Sequence, residues 1–177
     1  MLDLSLYVLD IVQNSITAGA TEITVRLARE RKVLTFAVKD NGCGMSPEFL
    51  EKVLDPFTTT RTTRNVGLGL PFLKQLTEQT GGNLKIISTP NVGTSLTATF
   101  YPEHIDMVPL GDIAGTFMTL VQGSPEIHFV FVRGVDAKTY TLDTDEMKDI
   151  LEDVPINDPS ILSWLSEFIN EHEEELR

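Results

Sequence analysis

The chain has 177 residues, 41 % hydrophobic and 23 % charged, with a formal net charge of -12. That balance describes a folded chain of one ordinary domain with an appendage, or of two small ones. No run reaches the about 18 apolar residues that cross a bilayer, the opening MLDLSLYVLD lacks a basic secretory start, and the single cysteine, Cys43, excludes an intrachain disulfide framework. The expectation is a cytoplasmic chain with no membrane partner.

The charge is uneven: residues 1–102 carry 9 acidic and 10 basic side chains, residues 103–177 carry 17 acidic and 4 basic. Phosphate backbones are bound through lysine and arginine, so a nucleic acid partner is not expected for the C-terminal part. A solvated helix face accounts most simply for the acid.

In chain order, Asp3 can cap a helix from Leu4 whose apolar residues Leu6, Leu9, Val12 and Ile16 keep helical spacing until Gly19. Asp10 and Asn14, four apart, share one of its faces. Residues 22–28 and 33–38 alternate apolar and polar around a polar tip and read as a β-hairpin, the second strand running into Asp40, Asn41 and Gly42. Ser46 and Pro47 open a second helix that Pro56 ends. Residues 58–66, TTTRTTRNV, lack apolar periodicity and read as a mobile loop, after which Gly67 opens a helix to Thr80, stopped by Gly81 and Gly82. Residues 84–88 and 95–100 form two more strands around a Pro90, Asn91, Gly93 turn. Past Pro102, residues 110–121 read as a helix, 127–133 and 139–142 as a hairpin, and 145–154 and 159–176 as two acidic helices. The order of elements predicts an α/β sandwich, with helices on one face of a mixed sheet.

Three short motifs carry chemistry. In DIVQNSITAGAT, the Asn14 carbonyl can ligate Mg2+, and Asp10, one turn earlier, can act as a base toward a water or an acceptor hydroxyl. In KDNGCGM, Asp40 ends a strand and can accept from an exocyclic amine, while Gly42 and Gly44 let the backbone approach a base closely. In NVGLGL, Gly67 and Gly69 at a helix mouth offer backbone N–H groups to phosphate oxygens. Singly, each also reads as a solvated helix face, an ordinary turn or a plain helix start.

Together and in this order they resemble the GHKL ATPase superfamily. NSITAGATEI with DNGCGM is similar to segments of MutL mismatch-repair proteins, and PFTTTRTTRNVGLGLPFLKQLTEQTGGNLKIIS followed by GTSLTATF resembles the catalytic domain of sensor histidine kinases. The resemblance implies a two-layer sandwich of the Bergerat type over residues 1–102, with residues 103–177 as a small acidic α+β extension. It implies ATP and Mg2+ as cofactors: Asn14 on the metal, Asp40 on the adenine amino group, Gly42, Gly44 and Met45 shaping the adenine pocket, and Thr94 supporting the base. Phe57 would precede an ATP lid over residues 58–66, and Gly67, Leu68, Gly69 and Leu70 would take the phosphates. Arg61 and Arg64 read equally as γ-phosphate ligands or as solvated loop charges. Two departures stand out: Asp10 replaces a glutamate usual in ATP-hydrolysing relatives, and Thr17 replaces a charged residue.

No helical hairpin precedes the motifs in this sequence, so the expectation is a freestanding ATP-dependent regulator. It would phosphorylate or switch a protein partner, as the resemblance to anti-sigma-factor kinases implies. A slow ATPase switch and a nucleotide-gated binding module stay open, and so does a homodimer. His172, in HEEELR, resembles the start of a phosphoacceptor box but lacks the following proline and reads better as a surface residue. Trp164 and Phe168 on the last helix either meet a partner or, as the stronger reading, pack with Leu165 and Ile169 on the domain itself.

Overall fold

The structure, a computed structural model, describes residues 2–55, 57 and 68–177. Its elements in chain order are α1 (Leu4–Thr17), β1 (Glu22–Glu30), β2 (Val33–Asp40), α2 (Pro47–Leu54), α3 (Gly69–Gln79), β3 (Asn83–Thr89), β4 (Gly93–Phe100), α4 (Ile113–Gly123), β5 (His128–Val135), β6 (Lys138–Asp143), α5 (Thr144–Leu151) and α6 (Pro159–Leu176). The strands form one six-stranded sheet ordered β3-β4-β2-β1-β5-β6. Every neighbouring pair is antiparallel except β1 and β5, which run parallel.

Alternation makes the sheet two-sided. Across it, Leu96, Val38, Val25, Phe131 and Leu142 stand in register and are all buried, and the next row places Ala98, Phe36, Leu27, Arg133 and Tyr140 together. Helices cover this face. Leu4, Val8, Ile11 and Val12 of α1, Leu73 of α3, Phe117 of α4, and Leu165 and Ile169 of α6 belong to the same core. The intervening residues, such as Thr24, Arg26 and Thr141, face out and are exposed. The resulting two-layer α+β architecture is the expected one, and β5 and β6 extend the same sheet beyond residue 102.

Local chemistry sets the helix ends. Asp3 accepts from the Leu6 amide (3.1 Å), and the carbonyls of Pro109 and Leu110 take the amides of Leu4 and Ser5 (2.8 and 2.9 Å). The free N–H groups of the first turn of α1 are thus answered by its own cap and by the segment that follows β4. Ser46 caps α2 through Phe49 (3.2 Å), with Pro47 in the first turn. Two boundaries differ from the sequence expectation for the same kind of reason. The helix expected from Leu110 begins at Ile113, because Gly111 is left-handed (φ 81°) and Asp112 caps the Gly115 amide (2.8 Å). The helix expected to reach Val154 stops at Leu151, where Glu152 turns to φ 54°.

Asp143 caps α5 through the amides of Asp145 (3.0 Å) and Glu146 (3.3 Å) and meets His128 Nε2 at 2.8 Å. Burial raises its pKa, but the α5 amides and His128 together outweigh that, and the net shift is downward. A lowered folded-state pKa makes the contribution of Asp143 present above about pH 4 and lost as pH falls through the lower folded value. Asp143→Asn keeps a capping oxygen and removes the charge, so it is expected to cost about 0.3–1 kcal/mol at neutral pH and to converge with the wild type in acid. Urea unfolding at a series of pH values measures this; a difference that does not shrink in acid would contradict it.

Candidate functional site

The ends of β2 and β4, the turn into α2, and helices α1 and α3 enclose a cavity of about 240 Å³. Its wall is mostly apolar, with Ile11, Val38, Met45, Phe49, Ile86 and Leu96, and Asp40 supplies a carboxylate. Both oxygens of that carboxylate are held. Ser15 Oγ donates to Oδ2 at 2.6 Å, and the amides of Gly42 (2.9 Å) and Thr94 (3.3 Å) donate to Oδ1. The β2 and β4 register, which sets Asp40 opposite Thr94, is what brings that amide within reach. Three donors around a carboxylate fix its direction. Oδ2 keeps acceptor capacity for a further donor from inside the cavity.

The turns around Asp40 pack backbone against backbone. A Cβ on Gly44 (φ 67°) would strike the Thr89 carbonyl, and one on Gly93 (φ 146°) would strike the Asp40 carbonyl. No other residue type fits either position without moving the main chain. The amide of Cys43 donates to Ala18 O (2.9 Å), and its carbonyl accepts from Asn91 (2.7 Å), which ties this turn to α1 and to the β3–β4 turn. Asn41 accepts from the amides of Thr21 (2.8 Å) and Glu22 (3.0 Å), fixing the turn against the start of β1. Ser88 Oγ lies 2.7 Å from Thr94 Oγ1 and accepts from the Met45 amide at 2.8 Å.

At the α1 side, helical spacing delivers Asp10 and Asn14 to one face, and both end in an unanswered polar atom. Asp10 Oδ2 and Asn14 Nδ2 are buried atoms without a hydrogen-bond partner among the described residues. Most such atoms in folded proteins are paired, so two of them one turn apart mark a place where something else belongs. Asp10 Oδ2 sits against Gly69, where a Cβ would overlap it. Gly69 begins α3, whose N-terminus has no side-chain cap. A helix N-terminus without a side-chain cap, the positive end of a helix dipole, thus meets a carboxylate whose pKa burial pushes up.

Of the residues singled out from the sequence, Asn14, Asp40, Gly44, Met45, Leu70 and Thr94 line the cavity. Gly42 supports Asp40, and Asp10 and Gly69 face each other at the α1 to α3 junction. Leu68 is 46 % exposed at the α3 N-cap, and Phe57 is 94 % exposed and does not line the cavity. Arg61, Arg64, Gly67 and the loop over residues 58–66 lie outside the described residues. Thr17 lines the cavity, as does the exposed Cys43. Ser15 and Asn41 escaped sequence reasoning; adjacency to Asn14 and Asp40 was their only signal.

Residues 2–104 match the family model described as histidine kinase-, DNA gyrase B-, and HSP90-like ATPase. Sensor kinase CckA of Brucella abortus is 28 % identical over 73 % of this chain, which spans 15 % of that protein. The sensor histidine kinase component HK1 of Mycobacterium tuberculosis is 34 % identical over 50 % of this chain and 55 % of its own length. Among solved structures, the Aquifex aeolicus MutL ATPase domain complexed with ADP superposes with a TM-score of 0.54 at 18 % identity, covering 86 % of this chain and 68 % of that one; this likeness is one of fold. With more than half of its length matched by the family model, the chain belongs to the histidine kinase-, DNA gyrase B- and HSP90-like ATPase family.

Proposed function

We propose that the chain binds ATP with Mg2+ in this cavity and uses it to phosphorylate or switch a protein partner. The observation that carries the reading is Asp40, a carboxylate held by three donors on the wall of a mostly apolar, base-sized cavity. Such a wall selects a flat heterocycle, and such an acceptor selects one with an amino group facing it. The MutL neighbour, of the same fold, was solved with ADP.

The residues present also fit the rest of the nucleotide. The α3 N-terminus lacks a cap and suits phosphate oxygens. Asn14, with its unanswered amide, can turn its oxygen to a hard cation. Among the described residues no group of three His, Cys, Asp or Glu could hold a metal. A cation that keeps its waters and rests mainly on phosphate needs no such cage. Bound ATP would supply a transferable phosphoryl group, its charge offset by Mg2+. Asp10, with a raised pKa and a free oxygen at the same junction, would hold the proton of the attacking hydroxyl or water.

The test is γ-labelled ATP incubated with the protein alone and with cell extract, for the wild type and Asp10→Asn. The expected result is slow release or transfer of label by the wild type, reduced by about 10²-fold or more in the variant, with ATP affinity kept. Unchanged turnover in Asp10→Asn would remove Asp10 as the base. Binding without any turnover in the wild type would favour a nucleotide-gated binding module.

A further inference from the structure

Helix α6 buries Leu165 and Ile169 completely and leaves Trp164 52 % exposed. Trp164 starts a row of rings spaced by one helical turn. Its ring lies 5.6 Å from Phe168, Phe168 lies 4.0 Å from His172, and Tyr140 of β6 lies 5.0 Å from His172. His172 Nδ1 donates to the Phe168 carbonyl at 2.8 Å, which fixes the imidazole in the row. The row leads into a groove of about 560 Å³ beside β6, lined by Tyr140, His172, Leu176, Thr139, Glu175 and Lys138, whose Nζ donates to the Glu175 carbonyl at 3.0 Å.

The charges around this row oppose ordinary helix chemistry. Residues 159–176 contain five glutamates and no lysine or arginine. Only Glu173 turns inward, to Arg133. Glu167, Glu171, Glu174 and Glu175 have no ion-pair partner among the described residues. Glu167, Glu171 and Glu175 repeat every fourth residue, so they repel one another along one stripe, and Glu174 and Glu175 oppose the dipole at the helix C-terminus. Trp164 lies on that same stripe, three residues before Glu167 and seven before Glu171. Exposed Trp164, bordered by glutamates without ion-pair partners among the described residues, lacks a complement, and that complement is cationic.

We propose that the Trp164, Phe168 and His172 face of α6 docks an arginine- and lysine-rich amphipathic segment of a protein partner. Apolar side chains of the segment would lie on the ring row, and guanidinium groups would stack on Trp164 and reach Glu167 and Glu171. A second copy of this chain is a poor occupant, because its residues 103–177 carry 17 acidic against 4 basic side chains and its residues 1–102 offer only a balanced 9 acidic and 10 basic. The proposal rests on the reading of the chain as acting on a protein partner and names the chemistry of that partner.

Trp164 is the sole tryptophan of the chain, so its emission reports directly on this surface. The probe is a synthetic leucine and arginine peptide as long as α6, with one apolar face, titrated into the full chain. A scrambled peptide of the same composition serves as control. The expected result is a saturable blue shift that weakens with salt, about tenfold weaker binding to Glu167→Gln/Glu171→Gln, and a similarly weaker scrambled peptide. No shift, equal binding by the variant, or equal binding of the scrambled peptide would overturn the proposal. So would a blue shift produced by raising protein concentration alone, which would assign the face to a second copy. Stabilisation by ATP, measured on the same samples, separates a failed docking surface from a failed nucleotide site.

Discussion

Exchange of Glu173 for alanine is expected to lower the unfolding free energy by about 3–5 kcal/mol, enough to reduce the melting midpoint by roughly 10 °C in a chain of this size. Arg133 stands at an inward position of β5, two residues past Phe131, and is 5 % exposed. Its Nε and Nη2 donate to Glu173 at 2.8 and 3.1 Å, and its Nη1 donates to the carbonyls of Leu27 and Gly134. Tyr140 donates its hydroxyl to the same carboxylate at 2.7 Å; burial first, then that bond and the charge of Glu173, raise its pKa well above the usual phenol value, against the opposing pull of Arg133. Removing Glu173 strands a buried guanidinium and a buried hydroxyl together. Replacing both charges at once, as Arg133→Met with Glu173→Leu, leaves neither stranded, and most of the loss is expected to disappear. Denaturant unfolding followed by circular dichroism measures both variants; a single-variant loss below about 1 kcal/mol would show that α6 is not clamped to the sheet this way.

Asp40→Asn is expected to weaken ATP binding by about tenfold to hundredfold, since a buried donor left facing another donor costs about 1–3 kcal/mol. The carboxylate accepts from Ser15, Gly42 and Thr94 at once. An amide offers one oxygen and one NH2: with the oxygen on the Gly42 and Thr94 amides, the NH2 can donate to Ser15 Oγ but turns a donor toward the adenine amino group, and the reverse turn sets the NH2 against the two backbone amides. The oxygen left over cannot serve both the protein and the adenine amino group. Isothermal titration with ATP and Mg2+ reads the effect, and an unchanged affinity would place the base elsewhere.

The parts of this molecule that were legible in the sequence are those governed by local rules. Asp3, Ser46 and Gly19 mark helix ends because capping and left-handed turns are matters of a few neighbouring residues. The shared face of Asp10 and Asn14 follows from helical spacing alone. What stayed hidden depends on long-range pairing. The parallel pairing of Glu22 with His128 joins segments more than 100 positions apart, and no local pattern announces it. Ser15 reaches Asp40 across 25 positions, so its hydroxyl looked like any other on an amphipathic helix. Arg133, an inward cation among the apolar residues of FVFVRGV, was not singled out in the sequence, and its partner Glu173 is only one of several similar glutamates in the last helix. Trp164 and Phe168 divide what the sequence left as alternatives. Phe168 packs against the core, while Trp164 stays half exposed.

Whether the cavity beside Asp40 takes ATP is read from the heat-unfolding midpoint of the wild-type chain with and without ATP and Mg2+. A ligand that binds only the folded state adds about 2.7 kcal/mol of stability at a hundred times its Kd. The midpoint is expected to climb steadily with ATP concentration and to move far less with GTP, whose guanine turns a carbonyl oxygen toward the Asp40 carboxylate. A midpoint that stays the same at every ATP concentration, or that rises equally with GTP, would contradict it.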